Sequence, residues 1–398
     1  MALTLPTAAE FPVLARDGLV YLDSAATSQT VLPAIEAMDD YYRTYRATIH
    51  RGVYPIAAEA TDAYEAARVR VAAFTNAAPA GTVFTRNVTE AINLVAYAWG
   101  RANVERDDLV VTTRMEHHSN VVPWQLLGSR LAYVELTADG LLDLDSLDAL
   151  LARRPKLVCV AHVSNVLGTI NPIAEIAARV HAAGALLLVD GAQAVPHLPV
   201  DVAALGADFY AWTGHKAYGP TGIGVLHGRR ELLEAMPPFL GGGHMISRVD
   251  DLQSTWAEPP ARFEAGTMPI AEAIGLGAAI DWLGAIGMDA VREHGRDVTA
   301  YALERLAGVD GVQLHGTRDP ALRGSLVSFE VAGVHPHDVA EILGRRGVCV
   351  RAGHHCAQPL MRWLGCTAST RASFAIHSTR EEVDRLVEGL ATVKEVFA

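Results

Sequence analysis

Leu186-Leu187-Leu188-Val189-Asp190-Gly191-Ala192-Gln193 leads on to Phe209-Tyr210-Ala211-Trp212-Thr213-Gly214-His215-Lys216. Each stretch opens with an apolar run of strand length and closes on polar residues. An unbroken apolar run, without alternation, reads as a strand buried on both faces, as in a parallel sheet covered by helices. Working outward, similar runs occur at Thr82-Val83-Phe84-Thr85, Leu109-Val110-Val111, Ala132-Tyr133-Val134 and Leu157-Val158-Cys159-Val160. Helical patterns separate several of them, at 89–99 and 173–183. Strand–helix alternation predicts an α/β fold with a mainly parallel sheet. Ligands in such sheets collect at the carboxyl ends of strands, where Asp190 and the Lys216 loop fall.

The pattern loosens beyond a helix at 271–283, and Gly284-Ala285-Ile286-Gly287 marks a boundary. A long helix follows, then shorter strands at 312–314, 326–331 and 348–351, and a terminal helix at 381–397. The expected organisation is a large domain over 19–284 and a smaller α+β domain over 285–398, joined by 1–18.

The chain has 398 residues, half of them hydrophobic, and a formal net charge of −12. Its arginines are scattered, which argues against a nucleic-acid-binding surface. Met1-Ala2-Leu3-Thr4-Leu5-Pro6 lacks the basic and apolar regions of a signal peptide. The longest apolar runs are far shorter than a membrane span. Cys159, Cys349, Cys356 and Cys366 form no C-x-x-C pair, so reduced thiols in a cytoplasmic chain are expected.

Lysine is avoided almost everywhere: Lys156, Lys216 and Lys394 stand against thirty arginines. Arginine replaces lysine as a surface cation but not as an amine that forms a Schiff base. Lys216, in Thr213-Gly214-His215-Lys216, therefore suggests an imine-forming lysine. Asp190, 26 residues upstream, turns this into a pyridoxal 5'-phosphate site. A carboxylate beside the pyridine nitrogen keeps that nitrogen protonated and the ring electron-accepting. Taken alone, Asp190 reads equally as a cap or turn residue.

A phosphate needs amides and hydroxyls. Thr85-Arg86-Asn87-Val88-Thr89-Glu90 runs from a strand into a helix N-terminus, with Thr89 as the expected N-cap. Thr213 and His215 add donors. In Met115-Glu116-His117-His118-Ser119-Asn120 one histidine can stack on the ring; the plain reading is a polar loop or half a metal site. Gly219-Pro220-Thr221-Gly222-Ile223-Gly224 has the wrong spacing for a dinucleotide fingerprint, and its glycines read as backbone passing close to the cofactor.

Cys356, in Arg351-Ala352-Gly353-His354-His355-Cys356-Ala357-Gln358-Pro359, has polar neighbours, unlike Cys159 in its apolar strand. Arg351 and the two histidines are expected to supply the positive field that favours a thiolate. The bland reading is an incidental loop cysteine. Arg371 is a candidate clamp for a substrate carboxylate, with a surface ion pair as its alternative.

Together these residues resemble the SufS-type, or group II, cysteine desulfurases of the class V aminotransferase superfamily. The resemblance spans nearly the whole chain. It includes Tyr21-Leu22-Asp23-Ser24-Ala25-Ala26-Thr27-Ser28-Gln29, Ile49-His50-Arg51-Gly52, Asn87-Val88-Thr89-Glu90-Ala91-Ile92, Glu116-His117-His118-Ser119-Asn120, Ser164-Asn165-Val166-Leu167-Gly168-Thr169 and Arg262-Phe263-Glu264-Ala265-Gly266-Thr267, besides the Lys216 and Cys356 loops. It implies a fold type I pyridoxal phosphate-dependent transferase with its active site at a homodimer interface. It further implies Lys216 as the imine lysine, Asp190 as the pyridinium partner, and Gln193 and Asn165 at the ring oxygen. His117 would stack on the ring, and Thr89, Thr213 and His215 would hold the phosphate. Thr267 would reach the partner subunit's phosphate. Arg371, with Arg351 and Asn165 nearby, would bind the substrate carboxylate. Cys356 would take sulfur from L-cysteine as a persulfide, releasing L-alanine, for iron–sulfur cluster assembly. Gly333-Val334-His335-Pro336-His337-Asp338-Val339 resembles the branch served by the zinc-containing acceptor SufU, with a SufE-like acceptor as the alternative. There His337 would be a ligand to the partner's zinc; its plain reading is a cap on the following helix.

Selenocysteine lyase activity is the alternative on the same scaffold. Another class V reaction would leave Cys356 idle, and a non-catalytic relative would not bind the cofactor. No nucleic-acid or membrane partner is expected.

Overall fold

The computed structural model describes residues 8–397, so the part of the 1–18 expectation that falls on 1–7 lies outside the described residues. A seven-stranded sheet forms the centre. Its strands run in the spatial order Thr82–Thr85, Gly224–Gly228, Phe209–Thr213, Leu186–Asp190, Leu157–Ala161, Leu109–Thr113, Arg130–Val134. Five are mutually parallel from Phe209–Thr213 to Arg130–Val134, and Gly224–Gly228 runs antiparallel to both of its neighbours. The unbroken apolar runs are those with both faces covered: every residue of Thr82–Thr85, Leu109–Thr113, Leu157–Ala161 and Phe209–Thr213 is buried. The edge strand Arg130–Val134 is more exposed.

Helix Ile270–Ile286 packs between Leu32–Asp40 and Pro55–Phe74. It is apolar over most of its surface because most of it is buried. It continues through the predicted Gly284 boundary and ends at Gly287, whose φ of 90° starts Met288–Ala307 on a new axis. Among the described residues, no single helix is long and apolar enough to cross a membrane.

A second, four-stranded antiparallel sheet has the order Val312–Leu314, Leu326–Val331, Ser369–Ser373, Arg351–Gly353. The predicted strand at 348–351 divides. Val348–Cys349 pairs in parallel with Val20–Tyr21, whereas Arg351–Gly353 joins the four-stranded sheet. Asp23 then bridges to Ser373, which brings the start of the chain to the strand carrying Arg371. Phe11 fills the junction between the two sheets' surroundings, against Tyr218, Trp282 and His377.

Candidate active site

Asp190 is the last residue of its strand, and Lys216 closes the short turn that follows Phe209–Thr213 on the neighbouring strand. Both side chains border one narrow cleft, lined also by His117, Asn165 and Gln193. Five separately predicted residues thus meet at the carboxyl ends of the parallel strands.

Burial sets the electrostatics there. Desolvation lowers the Lys216 amine to about 8, against the opposing pull of Asp190. Among the described residues its Nζ has no hydrogen-bond partner. Burial also raises the Asp190 carboxyl, while the Ala192 N–H, 2.9 Å from Oδ1, and Lys216 work the other way. His117 is pushed down to about 3, chiefly by burial and then by Lys216, and is a neutral ring at ordinary pH. Its Nδ1 lies 2.7 Å from Ser119 Oγ.

Thr89 is not the N-cap. Asn87 caps Val88–Leu94 by accepting from the Glu90 N–H at 2.9 Å, and Glu90 reaches back to the Arg86 N–H. Thr89 stands one step inside the first turn, and its Oγ1 pairs with Ser119 Oγ at 2.8 Å. The amides of Val88 and Thr89 have no partner among the described residues, so the anion-binding character of the helix start remains. His215 pairs through Nδ1 with Thr27 Oγ1 at 3.1 Å, and Thr213 Oγ1 has a long 3.5 Å contact to the Ile223 carbonyl. Thr267 does not border the Lys216 cleft. It lies in an open groove with Arg86, His215 and Thr221. Gly219 and Gly224 serve protein packing: a Cβ on Gly224 would fall 2.4 Å from the Asn87 carbonyl carbon, and one on Gly219 3.1 Å from Gly214 O. Gly224 thereby lets the strand lie under the Asn87 cap.

Arg371 is 2 % exposed, which removes the surface-ion-pair alternative. Its Nη1 donates to Asn165 O at 2.8 Å and its Nη2 to Asp23 Oδ1 at 3.2 Å, while Nε is buried without a partner. Arg351, directly opposite on the paired strand, is half-exposed and 3.7 Å from the other Asp23 oxygen. Asp23 is the residue that sequence reasoning missed. It lay in a quoted motif without a role, and only the pairing of Val20–Tyr21 with Val348–Cys349 places it between the two arginines.

The Cys356 loop is pinned to this cleft. Asn165 Nδ2 donates to His355 O at 2.7 Å, and the His118 N–H to Cys356 O at 2.7 Å. The Gln358 N–H donates to His118 Nε2 at 3.1 Å. His355 and Cys356 take φ of 51° and 56°, an uncommon left-handed pair that these bonds hold in place. The expected positive field needs correction. His355 is buried beside Arg371 and lowered to about 3, so it is neutral, and the nearby cations are Lys216 and Arg371 with Arg351. His337 does not cap its helix. His335 does, accepting the His337 N–H at 3.2 Å, with the two rings stacked at 5.4 Å.

The family model for class-V aminotransferases matches residues 20–386. The chain belongs to the class-V aminotransferase family. Class-V aminotransferases depend on pyridoxal phosphate. The residues present fit that group: a buried carboxylate and a half-buried amine without a hydrogen-bond partner among the described residues border one cleft, beside a neutral histidine and a helix start with free amides. The chain is 50 % identical to a probable cysteine desulfurase of Halalkalibacterium halodurans, over 97 % of each protein. It is also 50 % identical to one of Streptomyces coelicolor, over 98 % of this chain and 96 % of the other. Among solved structures, the cysteine desulfurase of Thermococcus onnurineus aligns with a TM-score of 0.95 at 40 % identity, covering 99 % of both chains. The cysteine desulfurase CsdA of Escherichia coli aligns at 0.91 and 39 %, over 98 % of this chain and 97 % of the other.

Proposed function

We propose that this class-V aminotransferase is a cysteine desulfurase that moves sulfur from L-cysteine to Cys356 and releases L-alanine. The observation that carries the reading is the pinning of the Cys356 loop to the lysine cleft by Asn165 and His118. A second sheet would otherwise have no reason to deliver a half-buried thiol there.

Bound pyridoxal phosphate supplies an electron sink that loosens the bond between the substrate's β-carbon and sulfur. Lys216 would anchor it, Asp190 face its ring nitrogen, Gln193 and Asn165 its ring oxygen, and His117 its ring face. Thr89, Thr213 and His215 would hold the phosphate, with Thr267 reaching the partner subunit's. Arg371, oriented by Asn165 and Asp23, offers its free Nε–H to the substrate carboxylate, with Arg351 at the mouth. Lys216, an amine near 8, is suited to take and return protons at neutral pH. The Cys356 thiolate forms a bond to the substrate sulfur as the carbon–sulfur bond breaks. The carbon keeps that bond's electrons and gains a proton, which gives alanine, and Cys356 is left as a persulfide.

The acceptor, on this reading, is a SufU-like zinc protein serving iron–sulfur cluster assembly, with a SufE-like protein as the alternative. Placement of His337 on an exposed helix start supports a role as ligand to the partner's zinc. A homodimer, a cytoplasmic location and the division into 19–284 against 1–18 with 285–398 belong to the same proposal. The test is alanine formation from L-cysteine, with and without such an acceptor, for wild type and Cys356→Ser. Alanine formed only by wild type, and faster with acceptor, supports the reading. Loss of cysteine turnover in Cys356→Ser together with a dominant, retained turnover of selenocysteine would assign a selenocysteine lyase instead. Alanine from cysteine at the wild-type rate in Cys356→Ser would overturn it.

A further inference from the structure

Away from the cleft, three side chains of different chemistry converge beside the four-stranded sheet. His315 follows Val312–Leu314, Glu330 lies on Leu326–Val331, and Cys366 comes after helix Gln358–Leu364. A nitrogen of His315, a carboxylate oxygen of Glu330 and Cys366 Sγ all lie within 4.8 Å of one another. His315 is 4 % exposed, and among the described residues its Nε2 makes no aligned hydrogen bond. That nitrogen is only 2.9 Å from Glu330 Oε1, but out of line for an N–H donor. A buried ring nitrogen with no aligned hydrogen bond among the described residues, in ion-pair contact with a carboxylate and close to a thiol, gathers N, O and S donors at one place.

We infer that His315, Glu330 and Cys366 form a binding site for a borderline-soft divalent cation, zinc first. The donor set is N, O and S, which suits zinc better than calcium or magnesium, whose ligands are oxygens. Zinc bonds of 2.0–2.3 Å put tetrahedral ligands about 3.3–3.8 Å apart, so the His315–Glu330 contact, at 2.9 Å, needs to open by about half an ångström and the wider contacts, within 4.8 Å, to close by about an ångström. The backbone is held ready: Arg323 Nη2 donates to His315 O at 2.8 Å, and its other donors go to the Thr317 and Leu326 carbonyls. Glu330 and Cys366 border a solvent-facing cleft together with His335, which gives the ion a route in and leaves a fourth position open. Bound there, the ion would tie two strands of the sheet to the turn after helix Gln358–Leu364. That helix starts two residues after Cys356, so the site anchors the far end of the segment carrying the reactive loop.

The test uses the full-length holoenzyme with Cys356→Ser, which removes the competing thiol, dialysed against zinc and then a weak chelator. The expected result is about one zinc per chain, lost at least tenfold when His315→Gln or Cys366→Ser is added. Cobalt in place of zinc should give a thiolate charge-transfer band only when Cys366 is present. Zinc should also raise the melting temperature of the parent and not of the added variants, whose melting in chelator checks that they fold. Equal zinc retention by all three proteins, or none in the parent, overturns the site.

Discussion

Lysine in place of Arg371 keeps the positive charge and removes the fork. Arg371 spends Nη1 on Asn165 O and Nη2 on Asp23, leaving Nε buried without a partner. A lysine ammonium places its donors at one point and cannot hold Asn165, Asp23 and an incoming carboxylate in one plane. With Arg371 as the proposed carboxylate clamp, the substrate loses one charge-assisted hydrogen bond, worth about 1.5–3 kcal/mol. That corresponds to a fall of about 10- to 150-fold in kcat/KM for L-cysteine. Most of the loss should appear in KM, because the carboxylate is bound before and during reaction alike. The assay is alanine formation over a range of cysteine concentrations, with cofactor absorbance as a check that the cleft is intact. A kcat/KM within twofold of wild type, or a fall in kcat with KM unchanged, would refute Arg371 as the carboxylate clamp.

Arg68 and Glu264 form a buried ion pair at 2.6 Å, and Glu264 also accepts from Tyr64 and the Phe84 N–H. Arg68→Met strands that carboxylate and should cost about 3–5 kcal/mol in urea unfolding; a cost under about 1 kcal/mol would contradict the pairing. Burial lowers His227 to about 3 and His162 and His197 to about 4, from 6.5. Their folded values lie below the unfolded one, so the neutral rings keep their full contribution above pH 6.5. Between 6.5 and about 4 the unfolded chain takes up protons that the folded chain refuses, and stability falls by about 1.4 kcal/mol per histidine for each pH unit. A melting temperature unchanged between pH 7 and pH 5 would count against this.

The central sheet was readable because its inner strands are covered on both faces and so carry no polar alternation. The antiparallel Gly224–Gly228 was harder, since its role depends on Asn87 approaching Gly224, a contact between distant residues. Local rules also misplaced a cap. Thr89 and Asn87 are both good capping residues, and which one leaves the helix is decided by Glu90 bonding back to Arg86. At the site, residue type and neighbours were enough to single out Asp190, Lys216 and Cys356 as candidates, and the fold brings Asp190 and Lys216 to one cleft with the Cys356 loop bonded to its edge. Asp23 did not, because its meaning comes from a two-residue strand pairing with a segment more than three hundred residues away. The charge state of His355 was likewise illegible, being set by burial.

The most direct measurement is the mass of the Cys356 peptide after a single turnover of L-cysteine without reductant or acceptor. One added sulfur on Cys356, in step with the alanine released, is the predicted result. The added sulfur on Cys349 or Cys366 instead, or alanine released with Cys356 unmodified, would contradict the account.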